Sequence, residues 1–87
     1  MSMVEIQLDG TSRDIFAADS IPASHTLNIQ NKTNGGISIW LGTAAPADAD
    51  KRKVGFMVKV GECFQIPPNS ATKCFVTGTG AITVHHY

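Results

Sequence analysis

Apolar and polar residues alternate in short runs along this chain, and Gly, Pro and Asn interrupt them. Val4-Glu5-Ile6-Gln7-Leu8 alternates strictly and ends at Asp9-Gly10, a dipeptide that favours a tight turn, so it predicts a first strand. His25 to Gln30 alternates in the same way, with Leu27 and Ile29 on one face. The Asn31-Lys32-Thr33-Asn34-Gly35-Gly36 run that follows reads as a turn whose Asn-Gly can supply positive φ. Ile37-Ser38-Ile39-Trp40-Leu41 sets Ile37, Ile39 and Leu41 on one face and Ser38 and Trp40 on the other. Further runs at Phe56 to Val60, Cys63 to Ile66, Lys73 to Thr77 and Ala81 to His85 read as strands too. Arg13 to Asp19 fits either a short buried strand or a helical turn capped by Ser12, and the strand is preferred. Gly42 to Lys53, with Ala44-Ala45-Pro46-Ala47-Asp48-Ala49-Asp50, has no period and reads as the longest loop. The pattern predicts one all-β domain over residues 1–87, a small antiparallel β-sandwich or jelly-roll-like fold of seven or eight short strands.

A register follows for the C-terminal third if Gly78-Thr79-Gly80 closes a hairpin that pairs Thr77 with Ala81. Val76 then lies opposite Ile82 and Cys74 opposite Val84, so these four share an apolar face. Matching that face to Phe64 and Ile66 brings Phe64 near Cys74 across the Pro67-Pro68-Asn69-Ser70 turn and points Cys63 the other way. The two cysteines are therefore expected to be free thiols, with Cys74 inside.

At 87 residues the chain buries only about 60 to 65% of the surface its unfolded form exposes, so its own core is small. Seven Lys and Arg balance seven Asp and Glu, which speaks against a general affinity for nucleic acid or anionic lipid. The basic run Lys51-Arg52-Lys53 follows Asp48 and Asp50 and reads as a solvated loop. No apolar run approaches the ~18 residues of a membrane helix, and no signal-peptide stretch follows Met1, so a protein made and kept in a cytoplasm is expected. Reaction chemistry is absent from the pattern. The cysteines lack a zinc-site spacing, His85 and His86 point to opposite faces of one strand, and the carboxylates Glu5, Asp14, Asp19 and Glu62 are scattered. No catalytic, cofactor or metal residue is assigned, and a non-enzymatic role is expected.

The layout Leu27-Asn28-Ile29-Gln30-Asn31, Ile37-Ser38-Ile39-Trp40-Leu41-Gly42, a Pro-containing loop, Val60-Gly61-Glu62 opening a strand and a closing Ala81-Ile82-Thr83-Val84 resembles short accessory virion proteins of tailed bacteriophages. The resemblance covers roughly residues 25 to 87. It implies a β-sandwich that decorates heads or fits into tails and fibres, made in the host cytoplasm and residing in the virion, without a catalytic site.

Several strands carry large apolar residues on both faces. Trp40, Met57 and Phe75 all point away from the expected core, and a charged fraction of only 16% makes a fully solvated monomer an unfavourable state. These three, with Pro46 and Asp48 of the long loop, are the candidate interface residues. A homo-oligomer is expected, with a trimer preferred, alongside contacts to other virion proteins. The alternative is a carbohydrate-binding module in which an exposed Trp40 stacks on a sugar ring.

Overall fold

The computed structural model describes residues 2–42 and 55–87. In chain order the elements are β1 (Ser2–Asp9), β2 (Arg13–Asp14), a single helical turn α1 (Ile15–Ala18), β3 (Leu27–Asn31), β4 (Ile37–Gly42), β5 (Phe56–Val58), β6 (Cys63–Ile66), β7 (Lys73–Thr77) and β8 (Thr79–His86). They form two four-stranded antiparallel sheets, ordered β1-β8-β3-β6 and β2-β7-β4-β5. Four of the pairings are β1 with β8, β2 with β7, β3 with β6 and β4 with β5. They describe one long ribbon, β1 to β4 running out and β5 to β8 running back. Rolling that ribbon up adds the contacts of β3 with β8 and β4 with β7, and the result is the jelly-roll order.

Alternation explains why the two sheets meet. Val4, Val84, Ile29 and Phe64 form one row across the first sheet, and Val76, Ile39 and Phe56 one across the second. Among the described residues fourteen apolar side chains are buried, eight of them isoleucine. Six of these isoleucines lie on strands, where a branched Cβ suits the pleat, and Ile15 and Ile21 enter the core from α1 and the segment after it. Burying each such side chain stabilises the fold by about 1.5–3 kcal/mol. At one margin, the rings of Phe56 and Phe64 approach to 5.0 Å between centroids, linking edge strands β5 and β6.

The expected Thr77/Ala81 hairpin is not formed. β7 and β8 lie in different sheets and are joined by Gly78 alone, whose carbonyl accepts a hydrogen bond from Gly10 N at 2.8 Å. A Cβ at residue 78 would stand 2.7 Å from Ile37 Cγ2, so the crossing lies tight against the core. The inward assignment of Cys74, Val76, Ile82 and Val84 holds nonetheless, since both sheets turn their apolar faces to the same interior. Phe64 is not across a hairpin from Cys74 either. The Pro67-Pro68-Asn69-Ser70 segment carries the chain from one sheet to the other, helped by positive φ at Asn69, and Phe64 pairs with Ile29 instead.

Residues 13–19 combine both readings, a two-residue strand running into one helical turn. The cap is Asp14, which accepts from Phe16 N at 3.2 Å, and not Ser12, whose hydroxyl bonds Thr77 Oγ1 at 2.9 Å. In the 31–36 turn, neither Asn34, Gly35 nor Gly36 adopts positive φ. Asn31 supplies the turn's geometry instead. It is fully buried, its Nδ2 donates to the carbonyls of Gly35 and Val58, and its Oδ1 accepts from Thr33 N and Thr33 Oγ1. Its backbone N–H donates to Glu62 O and its carbonyl accepts from Gly61 N, so every polar group of the residue is satisfied and two loops are tied to the end of β3.

Candidate assembly surface

The outer face of the β2-β7-β4-β5 sheet is built by the alternate residues of its strands. Phe75 of β7 lies directly opposite Trp40 of β4, and Asp14 of β2 lies on the far side of Phe75. One register step away, Thr77 pairs with Ser38 and Ser38 with Met57, which places Met57 diagonal to Trp40 on the same face. The three apolar residues singled out by alternation are thus contiguous. Met57 is 58% exposed, whereas Trp40 and Phe75 are partly buried. The expectation of an exposed Trp40 is corrected to a partly buried one, with Phe75 directly across from it on β7.

Polar groups frame this cluster. Lys73 Nζ stands 3.7 Å from Asp14 Oδ2 beside Phe75. Ser12 and Thr77 share a hydroxyl hydrogen bond, and Ser38 Oγ donates to Met57 Sδ at 3.0 Å. Ser38 and Thr77 are buried although they lie on the outer side of the sheet. An apolar centre with a paired polar rim is the anatomy of a protein contact. Pro46 and Asp48, the loop residues also expected here, lie outside the described residues.

The opposite outer face differs in kind. Across β1-β8-β3-β6, one row reads Met3, His85, Asn28, Gln65 and the next Glu5, Thr83, Gln30, Cys63. It is mostly polar, with the amides Asn28, Gln30 and Gln65 beside Thr83, His85, Glu5 and Cys63, and Met3 at its margin is the only large apolar group in these two rows. Thr83 Oγ1 is buried within it and has no hydrogen-bond partner.

Titratable groups elsewhere do not converge. Among the described residues no three His, Cys, Asp or Glu side chains are grouped as metal ligands. Cys63 is exposed and Cys74 buried, and both are free thiols. Burial pushes the Cys74 thiol up to about 12, with the Asp14 carboxylate adding to the shift. Arg13 and Asp19 form a two-pronged ion pair at 2.8 and 2.9 Å that clips the end of α1 to β2 and raises the guanidinium pKa. One pairing had no trace in the sequence pattern. His25 and His86 stack with centroids 5.2 Å apart and their Nδ1 atoms 2.9 Å apart, so one ring donates and the other accepts. Burial, and next the neighbouring His25, lower the His86 pKa below the ordinary imidazole value.

Fold and surface together define a jelly-roll sandwich with one aromatic and one polar outer face. Comparison with family models, with curated proteins and with solved structures returns no match.

Proposed function

We propose that this protein is a non-enzymatic structural component that assembles as a homo-oligomer through the outer face of its β2-β7-β4-β5 sheet, in the setting of a bacteriophage particle. The observation that carries the reading is the asymmetry between the two outer faces. Trp40, Phe75 and Met57 are neighbours on one, while the other is mostly polar and its two described rows hold a single large apolar group, Met3. A second copy is the occupant that fits, since among the described residues the cluster is flanked by one cation paired with one anion, Lys73 and Asp14, whose charges offset each other. Covering this face would also support a core that is small for its length. The jelly roll is an architecture of viral capsid subunits and of lectins alike, so the fold agrees with the virion setting without deciding it. That setting rests on the resemblance of residues 25 to 87 to accessory virion proteins.

Light scattering at micromolar concentration is the test. One monodisperse multimer built on that face, a trimer first or a whole multiple of one, is expected. Trp40→Ser, Phe75→Ser and Met57→Ser should each shift it toward smaller species, whereas Lys59→Ser, on the exposed β5–β6 turn, should not. A monodisperse monomer, or a monomer whose Trp40 fluorescence responds to sugars on a glycan array, overturns the reading. Flanking genes for capsid or tail proteins are expected, and flanking metabolic genes overturn the virion setting alone.

A further inference from the structure

A sheet edge left unpaired is a template for another strand, and folded proteins blunt such edges by shortening them, bending them, or placing Pro or Lys on them. Among the described residues, four strands are edges. β2 has two residues, β5 three and β6 four, and β6 runs straight into Pro67-Pro68. β1 breaks the pattern with eight residues, Ser2–Asp9, holding no Pro, Lys or Arg. It pairs with β8 along its whole length, so alternate residues turn their N–H and C=O groups outward along the free side.

We infer that β1 is a second self-assembly surface, on which the β1 of another copy lies antiparallel across a two-fold axis at Ile6 and joins the two β1-β8-β3-β6 sheets into one of eight strands. The sequence of β1 selects both partner and register. Val4-Glu5-Ile6-Gln7-Leu8 has the same alternation in either direction from Ile6. An antiparallel copy therefore sets Ile6 against Ile6 and Val4 against Leu8 on the core side, with Glu5 against Gln7 and Met3 against Asp9 outside. Val4, only partly buried in one copy, gains an apolar neighbour, and Met3, 66% exposed, gains a cross-strand neighbour at its open side. Sliding the copies by two residues one way sets Glu5 against Glu5, and the other way Glu5 against Asp9. Both place like charges opposite each other, which is destabilising. A one-residue slip would oppose apolar to polar faces. Of the registers compared, the one centred on Ile6 is free of these conflicts, and sliding further by two-residue steps leaves fewer residues paired.

This edge is distinct from the aromatic face, so the two contacts are separable by mutation. The test uses two single variants, Glu5→Cys and Gln7→Cys, each in a full-length Cys63→Ser background that removes the exposed native thiol. Mixed at micromolar concentration under mild oxidation, they should form the cross-linked mixed dimer at least tenfold faster than either variant cross-links to itself. Adding Trp40→Ser should leave that product unchanged. No cross-linked dimer, or faster formation of the Glu5→Cys homodimer, overturns the proposal. As a second readout without cysteine, Gln7→Glu should weaken self-association at least fivefold and Gln7→Lys strengthen it. Equal effects of the two overturn the register.

Discussion

Cys63 and Cys74 carry the same group into opposite surroundings. Cys74 lies at full burial between Leu41 and the core, with a thiol raised to about 12, so almost no thiolate exists at neutral pH and reagents cannot reach it. A disulfide-exchange reagent applied to the native protein should therefore titrate one thiol per chain rapidly and the second only in denaturant. Two fast thiols would show Cys74 to be accessible, and none in denaturant would show a bridge. The position of Cys74 was legible because alternation sets Cys74 and Val76 on one face of the strand and Lys73, Phe75 and Thr77 on the other. Asn31 was not legible in the same way. A polar residue before a glycine pair reads as turn, and only the structure shows its amide buried among the carbonyls of Gly35 and Val58.

At the level of elements, periodicity told which face each strand buries but not which strand lies beside it. Val76 and Ile82 point inward whether β7 and β8 pair in one sheet or face each other from two. The hairpin expectation and the observed crossing therefore send Cys74, Val76, Ile82 and Val84 to the same interior. What separates them is Gly78, where the backbone passes so near Ile37 that a methyl group meets Cγ2 at 2.7 Å. Gly78→Ala should destabilise by about 1–3 kcal/mol, the range for overpacking a core, read as a lower urea midpoint. Gly35→Ala, where a Cβ meets nothing within 4 Å and φ is not positive, should change it little. Equal midpoints for the two variants would count against the crossing. The trio of Trp40, Met57 and Phe75 was legible because alternation within each strand, with no knowledge of strand order, sets each of them on the side opposite its core residues.

For the molecule as a whole, the stacked His25 and His86 make stability depend on pH. His86 titrates below the ordinary imidazole value of about 6.5 because burial, and then His25, disfavour its charged form. The unfolded chain accordingly binds more protons than the folded one in the window below about pH 6.5, and stability falls as pH falls through it. The melting temperature should drop between pH 7 and pH 5.5, and His86→Gln should flatten that dependence. A wild-type melting temperature that stays level across the interval would contradict the buried pair. No spacing rule could have signalled this contact, since its two residues lie 61 positions apart and meet only because the end of β8 returns beside the start of β3.

The pairing of β1 with β8 also sets a timetable. Partners on these strands are 70 residues apart at Asp9 and Thr79 and 84 apart at Ser2 and His86. A ribosome adding roughly 5–20 residues per second makes β1 wait about 4–17 s for the strand it lies against. During that interval Val4, Ile6 and Leu8 have no sheet to cover, and β3 lacks the same central neighbour. The most hazardous moment in the life of this molecule is its own synthesis, when a self-complementary strand is already out of the ribosome and β8 is still to come.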